Sequence, residues 1–302
     1  MYKNEAYIIR TKTNLHAGSG DTNFGIVDKQ VQRDSISNLP IINSSSLKGA
    51  IRDHFSDLLA QTNDIAVDSD FVKPFVFKTI FGDEQKNLDE EDSKTYSKLP
   101  KQGLVKFIDA KLLFLPLRSN KKPYYHVTSV ETLKNAKEFL ENFEINLNFE
   151  DIATNESIVL GNENAVVEDV ECKASNLSLP NLKKIFGIEN LAIFTEEDFN
   201  EAVSNLPVIA RNKLNNGKSE NLWYEEVLPR ESILYTIFCY YDNLDSKADS
   251  SGKSDKKKFE MAYKLFEKRL LEDNIQIGAN ASIGYGITQF SKLGESKWTI
   301  KI

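Results

Sequence analysis

The stretch LPIINSSSLKGAIR at residues 39–52 joins a short apolar segment to the start of a helix. Beyond Leu47, apolar residues return at Ile51, Phe55 and Leu58, a spacing that places them on one helical face. One of the three consecutive serines is expected to supply the N-cap, because its side chain can accept a backbone N–H of the first turn. The stretch therefore predicts an amphipathic helix that packs one face against a core.

Strands and helices are interspersed on both sides of this helix, without repeated βαβ crossovers or a nucleotide fingerprint. An α+β fold therefore fits better than a doubly wound sheet, and a split βαβ, ferredoxin-like core with long insertions is the simplest match. The predicted strands are 6–15, 105–115 (ended by Pro116), 124–128 and 232–241, and the predicted helices are 130–142 after Ser129, one from 196 after Thr195, and 259–272. The predicted irregular segments are an Asn-Gly hairpin at 208–218, a lysine-rich loop at 246–258 and a glycine loop at 278–286.

The negative charge of the chain is concentrated in two stretches. The 302 residues carry a formal net charge of −7 and a pI of about 5.3, which at face value argues against a nucleic-acid partner. Residues 131–172 hold eleven acidic and two basic residues, and residues 83–92 hold six and one. The remainder carries +7, so the segments with motifs are neutral to mildly basic. Acidic runs of this kind are typical of solvated loops and helix faces.

Composition argues against several classes of protein. Hydrophobic residues make up 40% of the chain and charged residues 27%, as in soluble globular proteins. No apolar run is long enough to cross a bilayer, and the first residues lack the features of a signal peptide. Two cysteines without CxxC spacing and only three histidines argue against a disulfide framework or a zinc cage. We therefore expect a cytoplasmic protein with no membrane partner.

The start of the predicted helix offers one candidate binding site. Lys48 and Arg52 are four residues apart and share a helical face, and Ser45 and Ser46 precede them. A helix N-terminus presents free N–H groups and the positive end of the helix dipole, so this combination could cradle a phosphate. A capped helix with two solvated cations explains the same residues equally well.

Two polar residues flank the glycine-bearing loop that follows the first predicted strand. Asp28 is a lone carboxylate that could hold a divalent cation or polarise an attacking hydroxyl. The alternative is a structural residue that stabilises a turn or caps a helix. No second carboxylate is clearly paired with it, although Asp34 is close in sequence, so a two-metal site is not implied. His16 could act as a general acid or base, contact RNA, or pack at a strand end.

The predicted hairpin and the C-terminal glycine loop are two further candidates for nucleic-acid binding. Arg211 and Lys213 lie close in sequence to Trp223 and Tyr224, and basic residues interleaved with aromatics suit sequence-independent binding of a single strand. The alternative is a solvated hairpin with buried aromatic residues. The glycines of residues 278–286 could let the backbone approach a phosphate or sugar closely, or form a flexible loop.

The order of these segments resembles the RAMP superfamily of CRISPR effector proteins, specifically the backbone subunits of type III-B (Cmr) complexes. The specific block comprises LHAGSG at 15–20, GIVDKQVQRD at 25–34 and residues 39–52; the supporting segments are IFG at 80–82, FIDAKLL at 107–113, LWYEEVLP at 222–229 and the glycine loop. The resemblance covers nearly the whole chain. Asn43 stands where a glycine commonly precedes the paired serines, a departure that we expect to alter a turn and leave the role unchanged.

The resemblance implies a shape and a set of partners. We expect one RAMP domain over 1–302, an RRM-like palm with an insertion at 60–104, an inserted subdomain at 131–206 and a thumb-like hairpin at 207–226. Copies of the chain would stack along a guide RNA (crRNA), and the thumb would interrupt guide–target pairing at regular intervals. The implied partners are crRNA, target RNA, other copies of the chain and other Cmr subunits.

The resemblance also implies a reaction. Asp28 matches the cleavage residue of the family and would promote attack of the target's 2′-hydroxyl on the adjacent phosphate, giving 2′,3′-cyclic phosphate and 5′-hydroxyl ends. A divalent cation, Mg²⁺ or Mn²⁺, would assist at Asp28, with no organic cofactor. His16 is placed near the scissile phosphate, and Tyr224 and Glu226 are accessory candidates. The candidates for RNA binding are Ser45, Ser46, Lys48, Arg52, Arg211, Lys213, Gly278, Asn280 and Gly284.

Three other readings remain open from the sequence. Some RAMP subunits are non-catalytic scaffolds that bind RNA, and Asp28 argues against that role here. The type III-A backbone subunits share the first block but are usually shorter. A metal-independent endonuclease that processes the guide precursor would depend on His16 for acid–base chemistry. We expect no such processing of repeat RNA by the isolated protein.

Overall fold

The computed structural model describes residues 2–20, 27–61, 72–82, 102–242 and 252–294. Within these ranges the chain forms fourteen strands and six α-helices. The strands are β1 (Tyr2–Thr11), β2 (Ile41–Ile42), β3 (Val105–Phe107), β4 (Ala110–Arg118), β5 (Tyr124–Ser129), β6 (Ile158–Leu160), β7 (Ala165–Val167), β8 (Val170–Ser175), β9 (Leu191–Phe194), β10 (Val208–Asn215), β11 (Lys218–Glu226), β12 (Ile233–Tyr241), β13 (Asn274–Gln276) and β14 (Ile287–Lys292). The helices are α1 (Ser44–Gln61), α2 (Val72–Phe81), α3 (Val130–Glu141), α4 (Pro180–Phe186), α5 (Glu196–Ser204) and α6 (Gly252–Glu272), with a 3₁₀ turn at Ala281–Ile283.

Four antiparallel strands in the order β14-β1-β12-β4 form the centre of a twelve-stranded sheet. Strands β1 and β4 are connected through α1 and α2, and β12 separates them; β12 and β14 are connected through α6, and β1 separates them. This arrangement is the pair of interlocked split βαβ units of a ferredoxin-like core. The predicted α+β class and ferredoxin-like palm are therefore confirmed.

Successive residues of the central strands point into two separate hydrophobic cores, one on each face of the sheet. Ile9 and Phe238 point to the face covered by α1, α2 and α6, where Phe266 packs. Ile8 and Phe114 point to the opposite face, which α3 and α4 cover. Successive side chains of a strand point to opposite faces, so a sheet buried on both faces needs almost continuous apolar runs. The segment 131–206 thus supplies the second layer of helices as well as strands β6–β9.

Two predicted element boundaries are wrong for identifiable reasons. Strand β4 continues through Pro116 to Arg118, because Pro116 lies beyond the residues that pair with β12 and pairs only with β5. Its missing N–H therefore does not interrupt the ladder with β12. The serines are not the N-cap of α1: the helix already begins at Ser44, and Leu47 donates its N–H to the carbonyl of Asn43 (2.9 Å).

Three further segments differ from expectation or lie outside the description. Helix α6 begins at Gly252, so the prediction of a loop over 246–258 is wrong from residue 252 onward, while 243–251 lie outside the described residues. The first predicted strand is shifted, because β1 covers Tyr2–Thr11. Of the expected insertion at 60–104, α2 is described, whereas 62–71 and 83–101, with the acidic stretch 83–92, are outside the description.

In the described ranges, no helix has the length and apolarity to cross a membrane.

His126 makes the stability of the fold depend on pH. Burial lowers the pKa of its imidazole, the charge of Arg10 lowers it further, and the carbonyl of Glu231 (3.2 Å from Nε2) opposes the shift. The resulting pKa is about 3. Because the folded pKa lies below the unfolded value near 6.5, protons bind preferentially to the unfolded chain. The contribution of His126 is complete above about pH 6.5 and is lost as the pH falls toward 3.

As the pH is lowered from 6.5, we expect the free energy of unfolding to decrease. The contribution of His126 to the slope should approach about 1.4 kcal/mol per pH unit. Urea denaturation of the wild type at pH 7.5, 6.5, 5.5 and 4.5 measures the slope. His126→Gln removes the titrating group, so its profile should be flatter between pH 6.5 and 4.5. Parallel profiles of the two proteins would show that His126 does not control this dependence.

Candidate functional site

Asp28 lies where a loop of the palm docks against the hairpin β10–β11. Its N–H and that of Lys29 both donate to the carbonyl of Tyr224 (3.1 Å each), and the N–H of Tyr224 donates to Asp28 Oδ2 (2.7 Å). The N–H of Glu226 donates in turn to the carbonyl of Lys29 (2.9 Å). These bonds fix the Asp28 carboxylate against β11 while its side chain remains exposed to solvent. A fixed, exposed carboxylate can hold a cation or accept a proton from a bound ligand.

The hairpin projects from this docking point and ends in a tight turn. Asn216 and Gly217 both adopt positive φ (49° and 79°), the conformation that a two-residue hairpin turn requires. The predicted Asn-Gly hairpin is therefore confirmed, and most of its residues are exposed. Lys213 lies near the tip and pairs with Glu220 (2.8 Å), an exposed ion pair that water and salt weaken. Its cation is accessible to a ligand.

Glu226 connects the Asp28 loop to the rest of the palm. One carboxylate oxygen accepts the N–H of Val31 (3.0 Å), and the other accepts from Arg33 Nη2 (2.6 Å). Arg33 also donates to the carbonyls of Asn38 and Val203 (3.0 Å each). Because the Glu226 side chain is buried and satisfied by these donors, its observed role is to anchor the loop. Tyr224, its neighbour in the expected accessory pair, is exposed beside Asp28.

His16 is buried beneath the same region. Its Nδ1 lies 2.7 Å from the carbonyl of Glu226, which can only accept, so Nδ1 carries a proton there. Its Nε2 lies 3.6 Å from Glu225 Oε1. Only 3% of His16 is exposed, so this imidazole contacts the base of the hairpin from inside the protein.

The glycine loop packs behind His16. Ala279 donates its N–H to the carbonyl of His16 (2.9 Å), and a Cβ on Gly278 would lie 2.3 Å from that same oxygen. Gly284, by contrast, has open space around the position of a Cβ. Asn280 turns its amide inward to the carboxylate of Glu225 (2.9 Å). Of the three loop residues expected to bind RNA, Gly278 and Gly284 are exposed, and Gly284 also has open space on its Cβ side.

The N-terminus of α1 adjoins this region through Gln32. Gln32 donates from its side-chain amide to the carbonyl of Gly18 (3.0 Å) and to Ser46 Oγ (2.9 Å), and its Oε1 accepts the N–H of Asn43 (2.7 Å). Asp109 accepts the N–H of Ser44 (2.6 Å), which places a carboxylate at the helix N-terminus. The expected phosphate cradle is therefore already partly filled by a side chain of the protein.

The basic face of α1 is formed as the spacing predicted. Lys48 is half-buried; burial lowers the pKa of its ammonium group, and the nearby charge of Arg52 lowers it further. The guanidinium of Arg52 lies 5.4 Å from the ring centre of Phe77, a cation–π contact. Ser45 is exposed about two turns before Arg52. This face leaves positive charge beside the glycine-bearing loop that Gln32 ties to the helix.

The structure brings most of the predicted site residues to one side of the palm, around the base of the hairpin. Asp28, His16 and Asn280 are each hydrogen-bonded there to one of three consecutive residues of β11, 224–226. The sequence reading missed Gln32, Asp109 and Glu225, whose side chains connect segments far apart in the chain. In the described ranges, no group of three or more His, Cys, Asp or Glu side chains forms a metal-binding cluster.

A split βαβ palm that carries a docked β-hairpin, with an exposed carboxylate at the junction, defines an RRM-like α+β protein. The chain belongs to the RAMP superfamily, whose family model matches residues 8–289.

Individual relatives agree with this assignment. The sequence is 26% identical over 260 residues to the CRISPR system Cmr endoribonuclease Cmr4 of Pyrococcus furiosus, covering 77% of this chain and 81% of that protein. The fold is similar to a chain of the type III-B Cmr-beta complex in its apo state (TM-score 0.70, 20% identity, 97% of this chain and 98% of that one). It is also similar to oligomeric Cmr4 from Pyrococcus furiosus (TM-score 0.61, 20% identity, 97% and 100%). The resemblance inferred from the sequence is thereby confirmed.

Proposed function

We propose that this chain is the backbone subunit of a type III-B CRISPR complex, which binds guide RNA and cleaves complementary target RNA. The observation that carries the proposal is the exposed Asp28 carboxylate, held by Tyr224 where the palm meets the hairpin. The match to the RAMP family and the similarity to a Cmr endoribonuclease support it. The partners are crRNA, target RNA, further copies of the chain and other Cmr subunits, and the assembly acts in the cytoplasm.

The proposed reaction uses Asp28 as a positioned base. A target nucleotide displaced by the hairpin would present its 2′-hydroxyl to the carboxylate, which would accept the proton as the oxygen attacks the adjacent phosphate. The bond from this phosphorus to the 5′-oxygen of the next nucleotide would break, and that oxygen would take a proton from water. The products are a 2′,3′-cyclic phosphate and a 5′-hydroxyl. Catalysis of this kind depends on in-line geometry, so the bonds that fix Asp28 to β11 supply orientation. His16, buried below, would hold the base of the hairpin in place.

A divalent cation fits this site in one specific mode. Mg²⁺ is commonly held by one or two carboxylates together with phosphate oxygens and water. Asp28 would provide the protein ligand, and the RNA phosphate would provide further oxygens. The bound cation would stabilise negative charge that develops on the phosphate.

The path of the guide RNA would follow the accessible basic groups. Lys48 and Arg52 on α1 and Lys213 on the hairpin would contact phosphates, with Ser45 and the open backbone at Gly284 beside them. Phosphate contacts supply affinity without reading sequence. A backbone subunit that must accept any guide requires contacts of this kind.

Removal of the cation tests the catalytic part of the proposal. We expect the assembled wild-type complex to cut a complementary target at regular spacing with Mg²⁺ present. With EDTA, cutting should fall at least about a hundredfold, because charge stabilisation by the metal is lost. The measurement is denaturing gel analysis of end-labelled target, with retained crRNA measured in the same samples.

The same assay separates the alternatives. Bound crRNA without any cutting in Mg²⁺ or Mn²⁺ would assign a scaffold role. Cutting of repeat RNA by the isolated protein in EDTA would assign guide-precursor processing instead. Either result would contradict the proposal.

A further inference from the structure

A buried carboxylate, Glu225, joins three separate segments at the base of the hairpin. It is 2% exposed and accepts hydrogen bonds from Arg211 Nε (3.1 Å) and Asn280 Nδ2 (2.9 Å). Its other oxygen lies 3.6 Å from His16 Nε2. A buried carboxylate is retained at low cost only when hydrogen-bond donors surround it, and Arg211 and Asn280 are the donors to Glu225.

The glycine loop contacts the hairpin through two side chains. The amide of Asn280 reaches Glu225 on β11, and the ring of Tyr285 lies 4.4 Å from the guanidinium carbon of Arg211 on β10. Asn280 adopts a left-handed conformation (φ 66°, ψ 29°), which asparagine tolerates better than most residues. From this conformation the half-buried side chain of Asn280 reaches the Glu225 carboxylate.

Glu225 also sits between the two residues that hold the Asp28 loop. Its chain neighbours Tyr224 and Glu226 make the backbone hydrogen bonds to Asp28 and Lys29. A displacement of Glu225 would therefore move the strand segment that orients the Asp28 carboxylate.

We infer that Asn280 is a positioning residue, which fixes the hairpin relative to Asp28 through its hydrogen bond to buried Glu225. This inference rests on the proposed cleavage activity. It gives the Asn280 amide a partner within the protein, while direct binding of RNA by Asn280 stays a prediction. Loss of the contact should therefore lower the rate of the chemical step more than the affinity for RNA.

The first test compares two single variants in the assembled complex. Asn280→Asp keeps the shape and the left-handed tolerance but sets a carboxylate against Glu225. Asn280→Gly keeps the backbone conformation and removes the donor. We expect the single-turnover cleavage rate to fall about thirtyfold in Asn280→Asp and about tenfold in Asn280→Gly. Small misplacements of reacting groups cost up to about a hundredfold in rate. Binding of crRNA and target should change less than about threefold. Ser282→Ala, in the exposed part of the same loop, is the matched control.

The second test is rescue by exchange. The double variant Asn280→Asp with Glu225→Gln returns one amide and one carboxylate to the cluster in swapped positions. We expect its cleavage rate to recover to within about threefold of wild type, whereas each single variant stays impaired. Weaker RNA binding with an unchanged rate, or a double variant no faster than Asn280→Asp, would overturn the inference.

A readout that does not need cleavage keeps this inference separable from the proposed function. The chain has two tryptophans, Trp223 opposite Arg211 on the hairpin and Trp298. In a Trp298→Phe background, we expect Asn280→Asp to shift the emission of Trp223 and the exchange variant to restore it. An emission spectrum that none of the variants changes would contradict positioning, even in a complex that cleaves. Absence of cutting by the wild type would contradict only the proposed reaction.

Discussion

Replacement of Asp28 by asparagine should reduce target-RNA cleavage by the assembled complex at least about a hundredfold, while crRNA remains bound. The amide oxygen of asparagine can still accept the N–H of Tyr224, which in the wild type bonds Asp28 Oδ2 at 2.7 Å. The geometry of the loop is thus preserved and only the negative charge is lost. A positioned base contributes about 10²–10⁴-fold to a rate, and this variant removes it. Single-turnover assays at saturating Mg²⁺ measure the loss.

Asp34 supplies the matched control for this prediction. It belongs to the same segment, but its carboxylate accepts the N–H groups of Ile36 and Ser37 (3.0 and 2.9 Å) and stabilises a turn. The pKa of Asp34 is lowered chiefly by the hydrogen bond from the backbone of Ser37, as expected for a structural carboxylate. Asp34→Asn should therefore leave the cleavage rate within about threefold of wild type. Regular cutting by Asp28→Asn would remove Asp28 from the mechanism.

Local signals in the sequence were sufficient for several elements of the fold. Ser129 and Thr195 cap α3 and α5 as predicted, and each side chain accepts a backbone N–H three residues ahead. The Asn216–Gly217 turn likewise follows from two residues that tolerate positive φ. These features depend on neighbouring residues alone. The end of β4 depends on a distant segment instead. The strand can include Pro116 only because β12 pairs with β4 no further than Phe114.

The contacts of the candidate site could not be read from the sequence. Tyr224 and Asp28 are separated by 196 residues, and Asn280 and Glu225 by 55. Polar residues in loops show no periodic pattern, so nothing local indicates which of them will meet. The family resemblance placed Asp28 and His16 in one motif-bearing region, but only the structure shows that His16 is buried and Asp28 exposed.

The acidic character of the chain is compatible with RNA at this site because its nearby carboxylates are internally neutralised. Glu226 is paired with Arg33 and Glu225 with Arg211, in both cases within hydrogen-bonding distance. Such buried pairs project little net charge toward a phosphate backbone. The exposed Lys213 and the basic face of α1 can therefore dominate the local field, while the net charge of −7 reflects stretches elsewhere.

Two glycines of the C-terminal loop should respond very differently to the same substitution. Gly278 and Gly284 both adopt positive φ (+86° and +81°), so alanine at either position carries a backbone cost of about 1–2 kcal/mol. At Gly278 the new Cβ would also lie 2.3 Å from the His16 carbonyl oxygen, whereas at Gly284 it meets open space. The difference between the variants therefore isolates the close approach of the loop to His16.

We expect Gly278→Ala to lower the free energy of unfolding by about 2–5 kcal/mol, and Gly284→Ala by about 1–2 kcal/mol. Urea denaturation of the two variants and the wild type measures both values. The clash at residue 278 involves backbone on both sides, so relief requires movement of His16, whose imidazole holds the carbonyl of Glu226. Cleavage should therefore also fall in Gly278→Ala under conditions where the protein remains folded. Equal destabilisation by the two substitutions would mean that the loop can retreat from His16 without cost, and the hairpin would then need another anchor.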